Sequence, residues 1–101
     1  MTSEAPDDPV RLEREKAWIG DAVLGLFARQ WILETYGRMD SHLFTGLTSN
    51  QFLSCFGNPT TVEAEIGERY ESEGLEAAFA HIETEFVPLF SKQQRNKGRR
   101  I

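Results

Sequence analysis

A single cysteine, Cys55, is all the thiol chemistry this sequence has, so it can form neither an internal disulfide nor a cysteine metal cluster. That scarcity points to a reducing intracellular compartment. No apolar run approaches the ~18–20 residues that a membrane-spanning helix needs. The opening Met1-Thr2-Ser3-Glu4-Ala5-Pro6-Asp7-Asp8 has neither a basic nor an apolar targeting region, and its acidity argues against an organelle transit peptide. A cytoplasmic protein is expected. Four prolines and eight glycines in 101 residues are too few for a fibrous or low-complexity chain. With 40% hydrophobic and 27% charged residues, the composition is that of an ordinary globular domain, and the length suits one domain with a modest core.

Charge is unevenly spread. The net charge of −5 conceals five basic residues from Lys92 onward (Lys92, Arg95, Lys97, Arg99, Arg100), with no acid among them. Residues 1–91 hold six basic and sixteen acidic residues. An acidic body repels nucleic acid or holds cations, whereas a basic tail can touch phosphate.

Residues 1–8 read as a flexible leader, 9–90 as a helical domain, and 91–101 as a basic tail without periodicity that is expected to be flexible. Asp8-Pro9 is a helix start, an N-cap acceptor followed by proline at the first helical position, and Gly37 is the matching stop. The first two turns, with Arg11, Glu13, Arg14, Glu15 and Lys16, are polar and are expected to project into water. At about 100° per residue, Ala17 to Glu34 is apolar or small nearly all round, which predicts a long, buried central helix. Asp40 or Ser41 can cap a short segment through Phe44, and Ser49 another through Phe56. Asn58-Pro59 starts a helix that runs to Glu73 and closes at Gly74. Leu75, Ala78, Phe79, Ile82, Phe86 and Leu89 lie on one stripe of a last helix to about Phe90, which Pro88 can kink or shorten. No strand alternation persists, so the fold class is all-α.

Asp21 stands out. Its neighbours on the helical wheel are Ala17, Gly25, Ala28 and Ile32, all small or apolar, and a carboxylate there needs a cation or an ion-pair partner. Gly20 and Gly25 beside it allow another backbone or a ligand to approach closely. Glu63 lies one turn into the helix that starts at Asn58, with Thr60 and Gly67 on its face; its position near a helix N-terminus is also favoured by the dipole alone. Glu65, Glu68, Glu71 and Glu73 read as a solvated face. Trp18 and Trp31 are expected in the core, as is Cys55, while His42 and His81 lack metal spacing and read as surface or boundary residues.

Ala17-Trp18-Ile19-Gly20-Asp21-Ala22-Val23-Leu24 resembles the signature helix of the ribonuclease III family. Glu63-Ala64-Glu65-Ile66-Gly67, followed by Gly74-Leu75-Glu76-Ala77-Ala78, is similar to that family's second motif, and Leu47-Thr48-Ser49-Asn50 to the segment before its middle helix. The resemblance implies an endonuclease-domain-like helical bundle, a homodimer, and Mg²⁺-dependent (or Mn²⁺-dependent) hydrolysis of double-stranded or structured RNA. Within it, Asp21 and Glu63 take the metal-binding and catalytic positions.

Three other acidic positions of the family pattern are occupied here by Arg14, Ala17 and Thr60. The alanine before the aromatic residue and the threonine before Glu-Ala are similar to the Mini-III branch, which has no separate double-stranded-RNA-binding domain and resembles enzymes of ribosomal RNA maturation. The stretch between Asp21 and Glu63 is shorter than in either branch. Candidate RNA contacts are Lys92, Arg95, Lys97, Arg99 and Arg100, together with Thr60 at a helix N-terminus whose N–H groups can hold a phosphate. Two other readings stay open: a non-catalytic RNA-binding or ribosome-associated module, and a helical interaction domain whose acidic face docks a basic partner.

Overall fold

A computed structural model of the chain describes residues 8–98. Six helices follow one another, and there is no strand among the described residues: α1 (Pro9–Tyr36), α2 (Ser41–Thr48), α3 (Asn50–Leu53), α4 (Pro59–Glu73), α5 (Leu75–Glu85) and α6 (Val87–Gly98). The caps are set by local chemistry. Asp8 accepts a hydrogen bond from the Val10 amide at 3.1 Å, Asp40 from Leu43 at 2.9 Å, Ser49 from Phe52 at 3.0 Å and Asn58 from Thr60 at 2.9 Å. Gly37 ends α1 at φ 80°, a left-handed conformation that glycine adopts without strain.

The core gathers Leu24, Phe27, Ala28 and Ile32 of α1 with Leu47, Phe52 and Leu53 of α2–α3, Ile66 of α4, and Ala78, Ile82, Phe86 and Phe90 beyond. Aromatic edges lock it: Phe27 meets Phe79 at 5.3 Å between centroids, and Phe52 meets Phe56 at 5.3 Å and Phe90 at 5.5 Å.

Several expectations change. The segment opening at Asp40 extends to Thr48, beyond Phe44, while the one after Ser49 ends as helix at Leu53. The stripe from Leu75 to Leu89 is divided between α5 and α6, because Pro88 has no N–H to give the Thr84 carbonyl. The tail expected to be flexible is helical through Gly98, since Phe90 packs on Phe52 and Gln93 and Gln94 face a cleft shared with Gly46, Phe52 and Cys55. Arg99, Arg100 and most of the leader (1–7) lie outside the described residues. Cys55 is exposed rather than in the core.

The central helix is buried on one side only. Ala17, Gly20, Val23, Leu24, Phe27 and Ala28 are covered, but Trp18 is 75% exposed and Ala22, Leu26 and Leu33 are also open, because no other element among the described residues reaches that face. Trp31 is half-buried, edge-on to Phe90 at 5.9 Å.

Candidate functional site

The site is built where α1 crosses α4. Gly20 and Gly67 meet there with nothing but backbone between them. A Cβ on Gly20 would overlap the Glu63 carbonyl oxygen and come within 2.9 Å of the Gly67 nitrogen; one on Gly67 would overlap the Lys16 carbonyl oxygen and come within 3.0 Å of the Gly20 nitrogen. The contact therefore needs glycine on both helices. Side chains fasten it on either side. The Lys16 ammonium donates to the Glu68 and Glu71 carboxylates, and the Thr61 hydroxyl donates to Glu13 at 2.8 Å.

Lys16 and Glu13, expected to project into water, thus tie the two helices together. The signal for this was available: Lys16 lies one turn before the glycine of closest approach. The expected solvated glutamates are exposed but engaged, Glu68 and Glu71 by Lys16, Glu65 and Glu73 by Arg69. Lys16 holds the Glu68 carboxyl below the usual carboxylate range, first through the hydrogen bond and then through its charge.

This crossing brings Asp21 and Glu63 together. Each is next to, or one turn from, a glycine of the contact, and their carboxyl groups come within hydrogen-bonding reach of each other. Glu63 is half-buried, and its pKa is pushed up to about 7, mainly by desolvation, then by the hydrogen bond to Asp21 and by that residue's negative charge. Asp21 itself is exposed, a correction to the buried carboxylate expected from the wheel. Its small and apolar neighbours Ala17, Gly25, Ala28 and Ile32 are all buried, but Asp21 lies at the rim of that face. Burial falls on Glu63 instead. Among the described residues no lysine, arginine or histidine pairs with either carboxylate.

Two hard oxygen donors that converge without a counter-ion, one of them with its pKa raised by desolvation, are the donor chemistry that suits Mg²⁺ or Mn²⁺. No group of three or more acidic, histidine or cysteine side chains that could hold a metal occurs among the described residues, so water would complete the coordination of an ion here.

The other candidates fall elsewhere. Thr60 is half-buried at the start of α4, but Asn58 Oδ1 already takes the Thr60 amide at 2.9 Å and the Thr61 amide at 3.3 Å. Those amides are therefore not open to phosphate, which corrects the anion site expected there. Lys92, Arg95 and Lys97 are exposed on α6 and share no element with the acidic pair. Gly25 lets a side chain rather than a ligand approach: Arg29 donates to its carbonyl at 3.2 Å and lies 4.3 Å from the Phe44 ring centroid. No helix is long and apolar enough to cross a membrane among the described residues. No family model matches the chain, and no curated protein or solved structure does either.

Proposed function

We propose that this chain is a Mg²⁺-dependent endoribonuclease of ribonuclease III type that cleaves double-stranded or structured RNA, ribosomal RNA precursors included. One observation carries the reading: two residues 42 positions apart, picked out by separate motifs, meet as an unpaired acidic couple across the Gly20–Gly67 contact. Asp21 and Glu63 would hold the ion, Asp21 from the solvent side and Glu63 from the half-buried side. A bound Mg²⁺ supplies an activated water and offsets charge gathering on the phosphate. Glu63 would release its proton to solvent on binding a cation, whose positive charge beside Asp21 would lower the raised pKa. Lys16, Glu68 and Glu71 keep the helices, and hence both carboxylates, in register.

Lys92, Arg95 and Lys97 on α6, with Arg99 and Arg100 beyond it, supply phosphate contacts that the acidic body lacks. A homodimer covers the open apolar stripe of α1 (Trp18, Ala22, Leu26, Leu33), a self-complementary face of the kind that a two-fold axis can bury. A reducing cytoplasm fits the lone exposed thiol of Cys55.

Incubating the purified protein with a labelled RNA duplex and Mg²⁺ tests the proposal. Cleavage that stops with EDTA and with Asp21→Asn supports it; intact substrate at every protein concentration removes it. One observation favours a second reading, a non-catalytic RNA-binding module: the exposed cations of α6 are independent of the acidic pair. That reading requires salt-sensitive RNA binding indifferent to Mg²⁺ and to Asp21→Ala.

A further inference from the structure

Four cations stand along α1, and three of them are engaged. Arg11 pairs with Glu15 at 3.4 Å, Lys16 is held by Glu68 and Glu71, and Arg29 is fixed by the Gly25 carbonyl and the Phe44 ring. Arg14 is exposed and makes no ion pair or hydrogen bond among the described residues. It precedes Asp21 by seven residues, about 20° short of two full helical turns, so both occupy one face of α1 about 10.5 Å apart along the axis. Between them on the core side of that strip is Ala17, short and buried, and on the open side is Trp18, 75% exposed, so the indole borders the strip on one side only.

We propose that Arg14 is the phosphate-anchoring residue of the Asp21–Glu63 site, gripping a backbone phosphate of the RNA strand beside the one presented to the acidic pair. The inference rests on the proposed nuclease reading and names how that site takes its substrate. An acidic couple in a strongly acidic body repels a polyanion, so a strand approaching it needs a fixed positive charge close by. Arginine serves that purpose well, because its guanidinium is always charged and binds phosphate through two parallel N–H donors. Every other cation on α1 is already occupied. Arg14 is thus a positioning residue that holds the strand, while the acidic pair faces the bond to be broken.

The test compares wild type, Arg14→Ala and Arg14→Lys on a labelled RNA duplex. Steady-state cleavage is measured with Mg²⁺, and equilibrium binding across a salt series is measured in an Asp21→Asn background. Arg14→Ala should raise KM and Kd about tenfold, with the loss falling on KM rather than kcat. The slope of log affinity against log salt should fall by about one phosphate contact, and Arg14→Lys should recover most of the affinity. Matching thermal melts show that the exposed substitution leaves the fold intact. An unchanged Kd and salt slope in Arg14→Ala overturns the assignment even where wild type cleaves. A wild-type protein that binds without cleaving ends the nuclease reading, while the salt slope still decides Arg14. One that neither binds nor cleaves ends both.

Discussion

Gly20 and Gly67 face each other so closely that neither helix has room for a Cβ at that point. The acidic couple of Asp21 and Glu63 exists because of this contact, since any larger residue would push apart the two backbones that carry the carboxylates.

Gly20→Ala or Gly67→Ala should therefore destabilise the protein by about 3 kcal/mol, through overpacking against a rigid carbonyl rather than a yielding side chain. Gly98→Ala, with nothing within 4 Å of its Cβ position, should be neutral. Urea unfolding curves for the three variants check this, and equal midpoints would contradict the close contact.

Stability without divalent ions should depend on pH through Glu63. Its folded pKa of about 7 lies above the ordinary glutamate value of 4.5, so the folded state holds a proton that the unfolded chain has released between those two values. Stability should thus be highest below about pH 4.5 as far as this group is concerned, and should fall as pH rises through 7. Glu63→Gln should flatten that part of the profile. Melting temperatures from pH 5 to 8 for both proteins in EDTA measure the difference, and parallel profiles would contradict the shift.

Much of this arrangement is legible in the residue order because its causes are local. Asp8-Pro9, Gly37, Asn58-Pro59 and Gly74 mark helix ends through capping and backbone freedom, and each stands at a helix boundary in the structure. Exposure was harder to read. Trp18 and Cys55 look like core residues by type, yet their burial depends on which distant elements cover them, and among the described residues none does. The wheel correctly grouped Asp21 with buried neighbours, but it could not place the rim of that face. The helix through 91–98 was invisible for the same reason: Gln93 and Gln94 have no apolar period, and the packing of Phe90 against Phe52 is a tertiary contact.

The cap of α4 carries weight beyond its own turn, because Asn58 takes two amides just ahead of Glu63. Asn58→Ala should cost about 1 kcal/mol, and Asn58→Asp should retain the cap. Thermal denaturation of the pair decides it, and equal losses in both would contradict the capping role.

The open stripe on α1 leads to a prediction about assembly. Leu26→Glu and Leu33→Glu place charge within it, at its middle and its C-terminal end, and should turn a dimer into a folded monomer, with little loss of helix content. Sedimentation equilibrium at several concentrations reads the mass directly. A wild type that is already monomeric at the highest concentration would contradict the proposed face.

The most direct test of the whole account is Mn²⁺ binding followed by electron paramagnetic resonance, for wild type, Asp21→Asn and Glu63→Gln. Wild type should deplete the free-ion signal and release Mn²⁺ when Mg²⁺ is added, and each variant should bind about tenfold more weakly or worse. A free-ion signal unchanged by wild-type protein, or an Asp21→Asn curve that overlays it, would contradict the claim that these two carboxylates hold a divalent cation.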